Sequence, residues 1–358
     1  MRPLAEARTP TVRPSTPPVN PEPSQHRRHA VYVAERASAR IPSADIDENA
    51  PRRRTSIPAT PPSPAPAPVA ATAPRRRVGP FKLVRRLNRG AFGAAYVVHD
   101  AGSGRLLCAR VAEKKKLHAN QPILHGLAKE VECHRLIARA QTSAWDRAHL
   151  LEIHGVLQDE RRVYFMMPLM HCELLAVING PCSPTLTRRW VAQIALGIHA
   201  LHRMGIIHRD IKPENILLDA PDGNARVADL NAAYPTPGSE PLDGRSDAYC
   251  WGKKGSLPYM AYEMTEGPKI YGTAVDWWAL GCVMYDLVTG MLLFENEAVR
   301  QEYFQWNAKA RGMSYLAWRA DLTGEEESVL CGLLDKSPCR RFRFNNLQYH
   351  TYFQDENQ

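Results

Sequence analysis

The sequence predicts an α+β chain of two unequal lobes: a small β-rich lobe with one main helix, followed by a larger and mainly helical lobe. Two observations give the order. From Phe81 the chain runs through FKLVRRL, AAYVVHD and RLLCARVAE, short apolar or alternating segments separated by NRGAFG and AGSG, the texture of antiparallel strands joined by tight turns. Later, Trp190, Val191, Ile194, Ile198 and Leu201 fall on one face at helical spacing, and residues 275–288 are apolar almost all round, as in a helix buried at the centre of a lobe. Between them, residues 128–140 have helical character, and LLEIHGVLQ and VYFMMPL read as two more strands.

Ahead of the lobes lies a segment of different composition. The first 80 residues hold 17 of the 29 prolines, 13 arginines, no lysine, six acids and a single aromatic, Tyr32. Such a stretch buries too little apolar surface to offset the entropy of ordering, so residues 1–78 are expected to form a disordered Pro/Arg-rich tail. PATPPSPAPAP within it reads as a semi-stiff, extended spacer. Most of the net charge of +9 belongs to this tail, since the rest of the chain carries 33 basic and 31 acidic residues. Its Arg clusters lack interleaved aromatics, so any nucleic-acid or acidic-membrane binding is expected to be non-specific and salt-dependent. Thr55, Ser56, Thr60 and Ser63 are candidate phosphosites, Arg52 to Arg54 standing just before the first pair, and the tail is a possible contact for a regulatory partner.

Eight cysteines are scattered through the remainder without a CxxC pair and are expected to be reduced core thiols. The N-terminus lacks the apolar segment of a secretory signal, and no run approaches the about 18 apolar residues of a bilayer span. A soluble protein of the cytoplasm, the nucleus or both is the expectation.

The most specific signal is Ile206-Ile207-His208-Arg209-Asp210-Ile211-Lys212-Pro213-Glu214-Asn215, which sets a carboxylate, an ammonium and a carboxamide within six positions. It resembles the catalytic loop of eukaryotic protein kinases. The resemblance implies that Asp210 accepts the proton of a substrate hydroxyl, that Lys212 compensates charge on the transferred phosphoryl group, and that Asn215 is an oxygen ligand for Mg²⁺. Lysine two positions after the aspartate is the serine/threonine form. Nineteen residues on, Asp229 in Val227-Ala228-Asp229-Leu230-Asn231 stands at the family's Asp-Phe-Gly and is expected to be the second Mg²⁺ ligand. A plain turn residue is the alternative for an aspartate in such a segment. Asn231 replaces the glycine. As one of the few other residues that tolerate positive φ, it is expected to preserve the turn with less freedom to flip.

Upstream, Leu87-Asn88-Arg89-Gly90-Ala91-Phe92-Gly93 resembles the glycine-rich loop over the ATP phosphates, with Asn88 in place of its first glycine and Gly90 and Gly93 retained. Arg110, 17 residues after Gly93, holds the place of the lysine that grips the phosphates. The guanidinium keeps the charge but is planar and larger. Its family partner is Glu130, for which a surface helix charge is the alternative. The resemblance places the ATP base between Leu87, Ala95 and Cys108 above and Leu217 below. Met167 is then the gatekeeper and residues 168–171 the hinge, where Pro168 lacks an N–H and Met170 is the expected donor.

Gly255-Ser256-Leu257-Pro258-Tyr259-Met260-Ala261-Tyr262-Glu263 resembles the end of an activation segment, with Ala-Tyr-Glu for Ala-Pro-Glu. Ser256 is expected to bridge Asp210 and Lys212, Glu263 to pair with Arg341, and Asp276 to accept backbone hydrogen bonds from the catalytic loop. The helix containing Asp276 most resembles the group of cyclic-nucleotide-dependent kinases. Arg209 implies a basic pocket for an activation-loop phosphate, with Thr236, Ser239, Ser246 and Tyr249 as possible acceptors. The domain is expected over residues 79–356, with the small lobe at 79–168 and the large lobe at 172–356. Two functions follow from the resemblance: a protein serine/threonine kinase acting with ATP and Mg²⁺ on a protein hydroxyl, or a pseudokinase or interaction scaffold weakened by Asn88, Arg110 and Asn231.

Overall fold

The computed structural model describes residues 77–78, 81–89, 93–140, 147–236, 242, 249–266, 270–306 and 311–354. The tail through residue 76 lies outside the described residues, as do Gly90, Ser239 and Ser246.

The small lobe is one antiparallel sheet. Its strands are β1 (Arg77–Val78), β2 (Phe81–Arg89), β3 (Gly93–Asp100), β4 (Leu106–Glu113), β5 (Gly155–Gln158) and β6 (Arg162–Pro168), in the order β1-β2-β3-β4-β6-β5. Alternation sets its inner face: Val98, Leu107, Ala109, Val111, Tyr164 and Met166 form its core. The register puts Arg110 opposite both Ala95 and Phe165, and Cys108 opposite Met167, so the residues read as nucleotide-facing share one patch. Gly93 is demanded by this pairing, because a Cβ there would collide with the Val111 carbonyl.

Two helices follow β4: α1 (Lys114–His118) and α2 (Gln121–Arg139). The second begins seven residues before the stretch read as helical from periodicity. Asn120 caps it by accepting the Ile123 N–H at 3.3 Å, and Pro122 sits in the first turn, where its missing N–H costs nothing. The strand expected from Leu150 also starts later. Leu150 and Leu151 are buried against the large lobe, where the Leu151 N–H donates to the Val227 carbonyl at 2.8 Å, and the chain joins the sheet only at Gly155.

The large lobe is built on α3 (Pro184–Arg203), capped by Ser183, and on short strand pairs. Strands β7 (Cys172–Glu173), β9 (Ile216–Leu218) and β10 (Ala225–Val227) form a three-stranded sheet. Strand β8 (Ile206–Ile207) pairs with β11 (Tyr234–Pro235), and β12 (Cys250–Trp251) with β13 (Ile270–Tyr271). After α4 (Tyr262–Thr265), the central helix α5 (Ala274–Thr289) is buried on nearly every side, as its all-apolar sequence predicts. It packs against the chain at Leu333 and Leu334 so closely that a Cβ on Gly281 would lie 2.9 Å from each, and it ends on Gly290 at φ 69°. The remaining helices are α6 (Glu297–Gln305), α7 (Tyr315–Arg319), α8 (Gly324–Leu333) and α9 (Phe344–Leu347). Cys133 and Ile137 of α2 join the core of this lobe, which ties the main small-lobe helix to both halves. All eight cysteines are free, and no described helix is long and apolar enough to cross a membrane.

Candidate active site

The catalytic loop is held from beneath by α5. Asp276, 0% exposed, accepts the His208 N–H at 2.8 Å, the Arg209 N–H at 2.7 Å and His202 Nε2 at 2.8 Å. This fixes two successive amides and holds Arg209 at φ 66°. Burial alone would raise the Asp276 pKa. The His202 hydrogen bond and charge, the charge of His208 and the Arg209 amide outweigh it, leaving the carboxyl below its ordinary 3.8. The stabilisation is therefore present above 3.8 and is lost as pH falls through the lower folded value.

Asp286, also on α5, behaves oppositely: burial holds its carboxyl well above 3.8, only partly offset by the Tyr259 hydroxyl that donates to it at 2.7 Å. Its effect runs the other way, with stability falling as pH rises above 3.8. Asp276→Asn is expected to cost about 3 kcal/mol at neutral pH and Asp286→Asn under about 1, compared by denaturant titration. Equal losses would contradict this assignment.

Above that anchor, Asp210, Lys212 and Asn215 converge as the sequence implies. Asn215 Nδ2 donates to the Asp210 carbonyl at 2.8 Å and to Asp210 Oδ2 at 3.0 Å, and Lys212 Nζ is 3.1 Å from the same carboxylate oxygen. Asp210 Oδ1 is buried with no hydrogen-bond partner among the described residues. Gly255, at φ 99°, closes over this oxygen, and a Cβ there would strike the Arg209 carbonyl. Ser256 Oγ accepts from Lys212 Nζ at 2.6 Å. The expected bridge is thus made by the lysine, whose ammonium lies between the serine and the aspartate.

Asp229 and Arg110 meet across the cleft. Arg110 pairs with Glu130, places Nη1 3.5 Å from Asp229 Oδ1, and stacks 4.7 Å over the Phe165 ring. Glu130 is 2% exposed, so the surface-charge alternative fails. Burial works against the Arg110 charge, but Glu130 and then Asp229 overcome it and hold the guanidinium above its ordinary pKa. A planar fork can serve two carboxylates where an ammonium is a single point.

The expectation that Asn231 carries the positive φ of this turn needs correction. The left-handed residue is Asp229 itself, at φ 60°, because its carboxylate accepts the Asn231 N–H at 3.2 Å and stabilises the turn locally. Asn231 instead lies in the 3-10 turn Leu230–Ala232, so a glycine is not required there. Asn88, the other asparagine departure, accepts the Ala95 N–H at 3.3 Å across the β2–β3 pair.

Between the lobes is a cavity of about 720 Å³, lined above by Leu87, Ala95 and Cys108, behind by Met167, along the hinge by Met170 and below by Leu217, with Arg110, Glu130, Lys212, Asn215 and Asp229 at its polar end. Gly93 does not line it; its role lies in the strand pairing. Burial pushes the Cys108 thiol up to about 11, against the pull of Arg110, so it is an apolar roof atom more than a nucleophile. The sequence reading missed His134, which lines the cavity with Nε2 3.8 Å from Glu130 Oε1. Its i+4 spacing from Glu130 was the available signal.

The activation-segment end is locked by a buried pair. Arg341 Nη1 and Nη2 meet Glu263 Oε1 and Oε2 at 2.6 and 2.9 Å. Thr236 is buried and its hydroxyl donates to the Gly205 carbonyl at 2.9 Å, so it is no exposed phosphoacceptor. Tyr249 is half-buried. Arg209, expected to open a phosphate pocket, gives Nε to the Ala232 carbonyl at 2.7 Å and Nη2 to that of Ala233 at 3.3 Å, beneath the Tyr234 ring.

Comparison with known proteins agrees with this geometry. The protein kinase domain family matches residues 81–353. An Aurora kinase of Saccharomyces cerevisiae is 28% identical over 275 residues, covering 76% of this chain and 68% of that protein. The mouse serine/threonine-protein kinase MRCK gamma is 27% identical over 76% of this chain but only 17% of its own length. An Aurora kinase of Candida glabrata is 31% identical over 62% of this chain and 58% of that protein. The matched stretch is thus under two thirds of the latter two relatives. With its two lobes, its catalytic loop on Asp276 and its Glu263–Arg341 lock, the chain belongs to the eukaryotic protein kinase family, serine/threonine type.

Proposed function

We propose that the chain is an active protein serine/threonine kinase, transferring the γ-phosphoryl group of ATP to a serine or threonine hydroxyl of a protein. The observation that carries this is that Lys212, Asn215 and Asp229 meet at the polar end of a cavity of a size suited to a nucleotide, with Asp210 beside it, bonded to Asn215 and Lys212. The free Oδ1 of Asp210 takes the hydroxyl proton as the oxygen attacks phosphorus. Lys212, steered by Ser256, faces the charge on the transferred group. Arg110, fixed by Glu130 and Phe165, contributes its charge to the phosphates.

The donor set at Asn215 and Asp229 fits Mg²⁺. With Asn215 Nδ2 spent on Asp210, its carboxamide oxygen is the atom left to coordinate, and both residues offer the hard oxygen that this ion prefers. When bound, Mg²⁺ would neutralise charge on the triphosphate. The scaffold alternative draws on three departures, but Asn88 bonds across the β2–β3 pair and Asn231 occupies a position that does not ask for glycine. Eight free thiols support a reducing setting, in the cytoplasm or nucleus.

The test is transfer of labelled γ-phosphate by the purified full chain to itself and to a generic basic protein, with Mg²⁺ present and absent. Arg110→Lys bears on the remaining departure: an ammonium frees Asp229, and Mg-ATP is expected to bind more tightly by about threefold or more in a calorimetric titration. A loss above about tenfold would show that the cleft depends on the guanidinium.

A further inference from the structure

The segment from Leu257 to Tyr262 lies between two fixed points: Ser256, bonded to Lys212, and Glu263, locked to Arg341. It packs on the catalytic loop, with Tyr259 and Met260 beside Asp210 and Ile211. Residue 262 is Tyr, whose φ no ring fixes, so the backbone here needs another restraint.

That restraint comes from α6. Arg300, 1% exposed, donates Nη1 to the Leu257 carbonyl at 3.0 Å and Nη2 to the Met260 carbonyl at 2.8 Å and Thr265 Oγ1 at 2.8 Å, with a longer contact to the Ala261 carbonyl at 3.4 Å. Its guanidinium lies 5.1 Å from the Phe304 ring centre and 5.6 Å from that of Phe294, and Tyr262 packs edge-on against the same Phe304. Among the described residues no carboxylate forms an ion pair with it, and its Nε is buried without a partner. Burial lowers its pKa below the ordinary arginine value. A buried cation with neutral hydrogen-bond acceptors and no ion-pair partner among the described residues is a costly way to gain stability, since a hydrophobic residue of similar volume is often as good. What the fork provides is fixed positions for three carbonyls of one loop.

We propose that Arg300 is a positioning residue for phosphoryl transfer: it fixes the loop 257–261 against the catalytic loop, and through Ser256 it keeps Lys212 and Asp210 aligned to the protein acceptor. This rests on the kinase reading.

Arg300→Lys keeps the charge on a single donor head, and Arg300→Met keeps the stem without it. In the full chain, KM for a peptide acceptor is expected to rise about fivefold or more in both, with KM for Mg-ATP within about twofold of wild type. Hydrogen exchange at the Leu257, Met260 and Ala261 amides is expected to quicken about tenfold or more, while the His208 and Arg209 amides keep their protection. Unchanged acceptor KM with unchanged exchange overturns the proposal. So does exchange raised throughout the large lobe with acceptor KM unchanged, the pattern of a purely structural residue. A wild-type chain that transfers no phosphate overturns the kinase reading and the catalytic part of the proposal, whereas the exchange pattern alone decides whether Arg300 holds the loop.

Discussion

Replacing Asp210 with Asn is expected to lower turnover by about 10²–10⁴-fold while Mg-ATP still binds. The two effects separate because Asp210 lies outside the lining of the interlobe cavity, in the crevice it shares with Ser256, Tyr259 and Met260. An amide oxygen at this position still accepts from Asn215 and Lys212, so the loop keeps its shape. What is lost is basicity at the buried, unpartnered Oδ1. Single-turnover transfer together with nucleotide titration separates the outcomes. Turnover near wild type would remove Asp210 from the mechanism, and lost binding would mean that the cavity depends on it.

Arg341→Met is expected to destabilise the domain by about 3–5 kcal/mol, the cost of leaving a buried carboxylate unpaired. Both ends of the pair are buried, and Arg341 also donates to the carbonyls of Ala274 at 2.9 Å and Asp335 at 2.9 Å. The guanidinium lies 5.0 Å from the centre of the Trp278 ring, so the arginine joins the segment ending at Glu263 to the start of α5. Adding Glu263→Gln removes the stranded charge and is expected to recover part of the loss. Chemical denaturation of the single and double variants checks this, and a double variant no more stable than Arg341→Met would contradict it.

Residues whose roles depend on spacing within one segment were legible in the sequence. The triad of Asp210, Lys212 and Asn215 sits on a single loop, and the alternation of the strands brings Ala95, Cys108, Arg110 and Met167 to one patch of sheet. Local capping was legible too, although periodicity alone hid it: Asn120 and Pro122 mark the start of α2 better than its apolar residues do. The turn after Asp229 departs from the expectation drawn from the missing glycine, because a carboxylate that accepts the N–H two residues on can itself favour the left-handed conformation. Arg300 left no signal. Its partners lie 35 to 43 residues earlier in the chain, and nothing in NEAVRQEYF distinguishes a buried clamp from a surface helix charge.

The central claim is that Asp210, Asn215 and Asp229 serve one nucleotide and one divalent ion in the same cleft. The most direct measurement is Mg²⁺-dependent incorporation of labelled γ-phosphate into serine or threonine by the purified wild-type chain, beside Asp210→Asn and Asp229→Asn. The expected result is incorporation by wild type with Mg²⁺ and almost none by either variant. Equal incorporation by all three, or none by a folded wild-type chain that binds Mg-ATP, would contradict it.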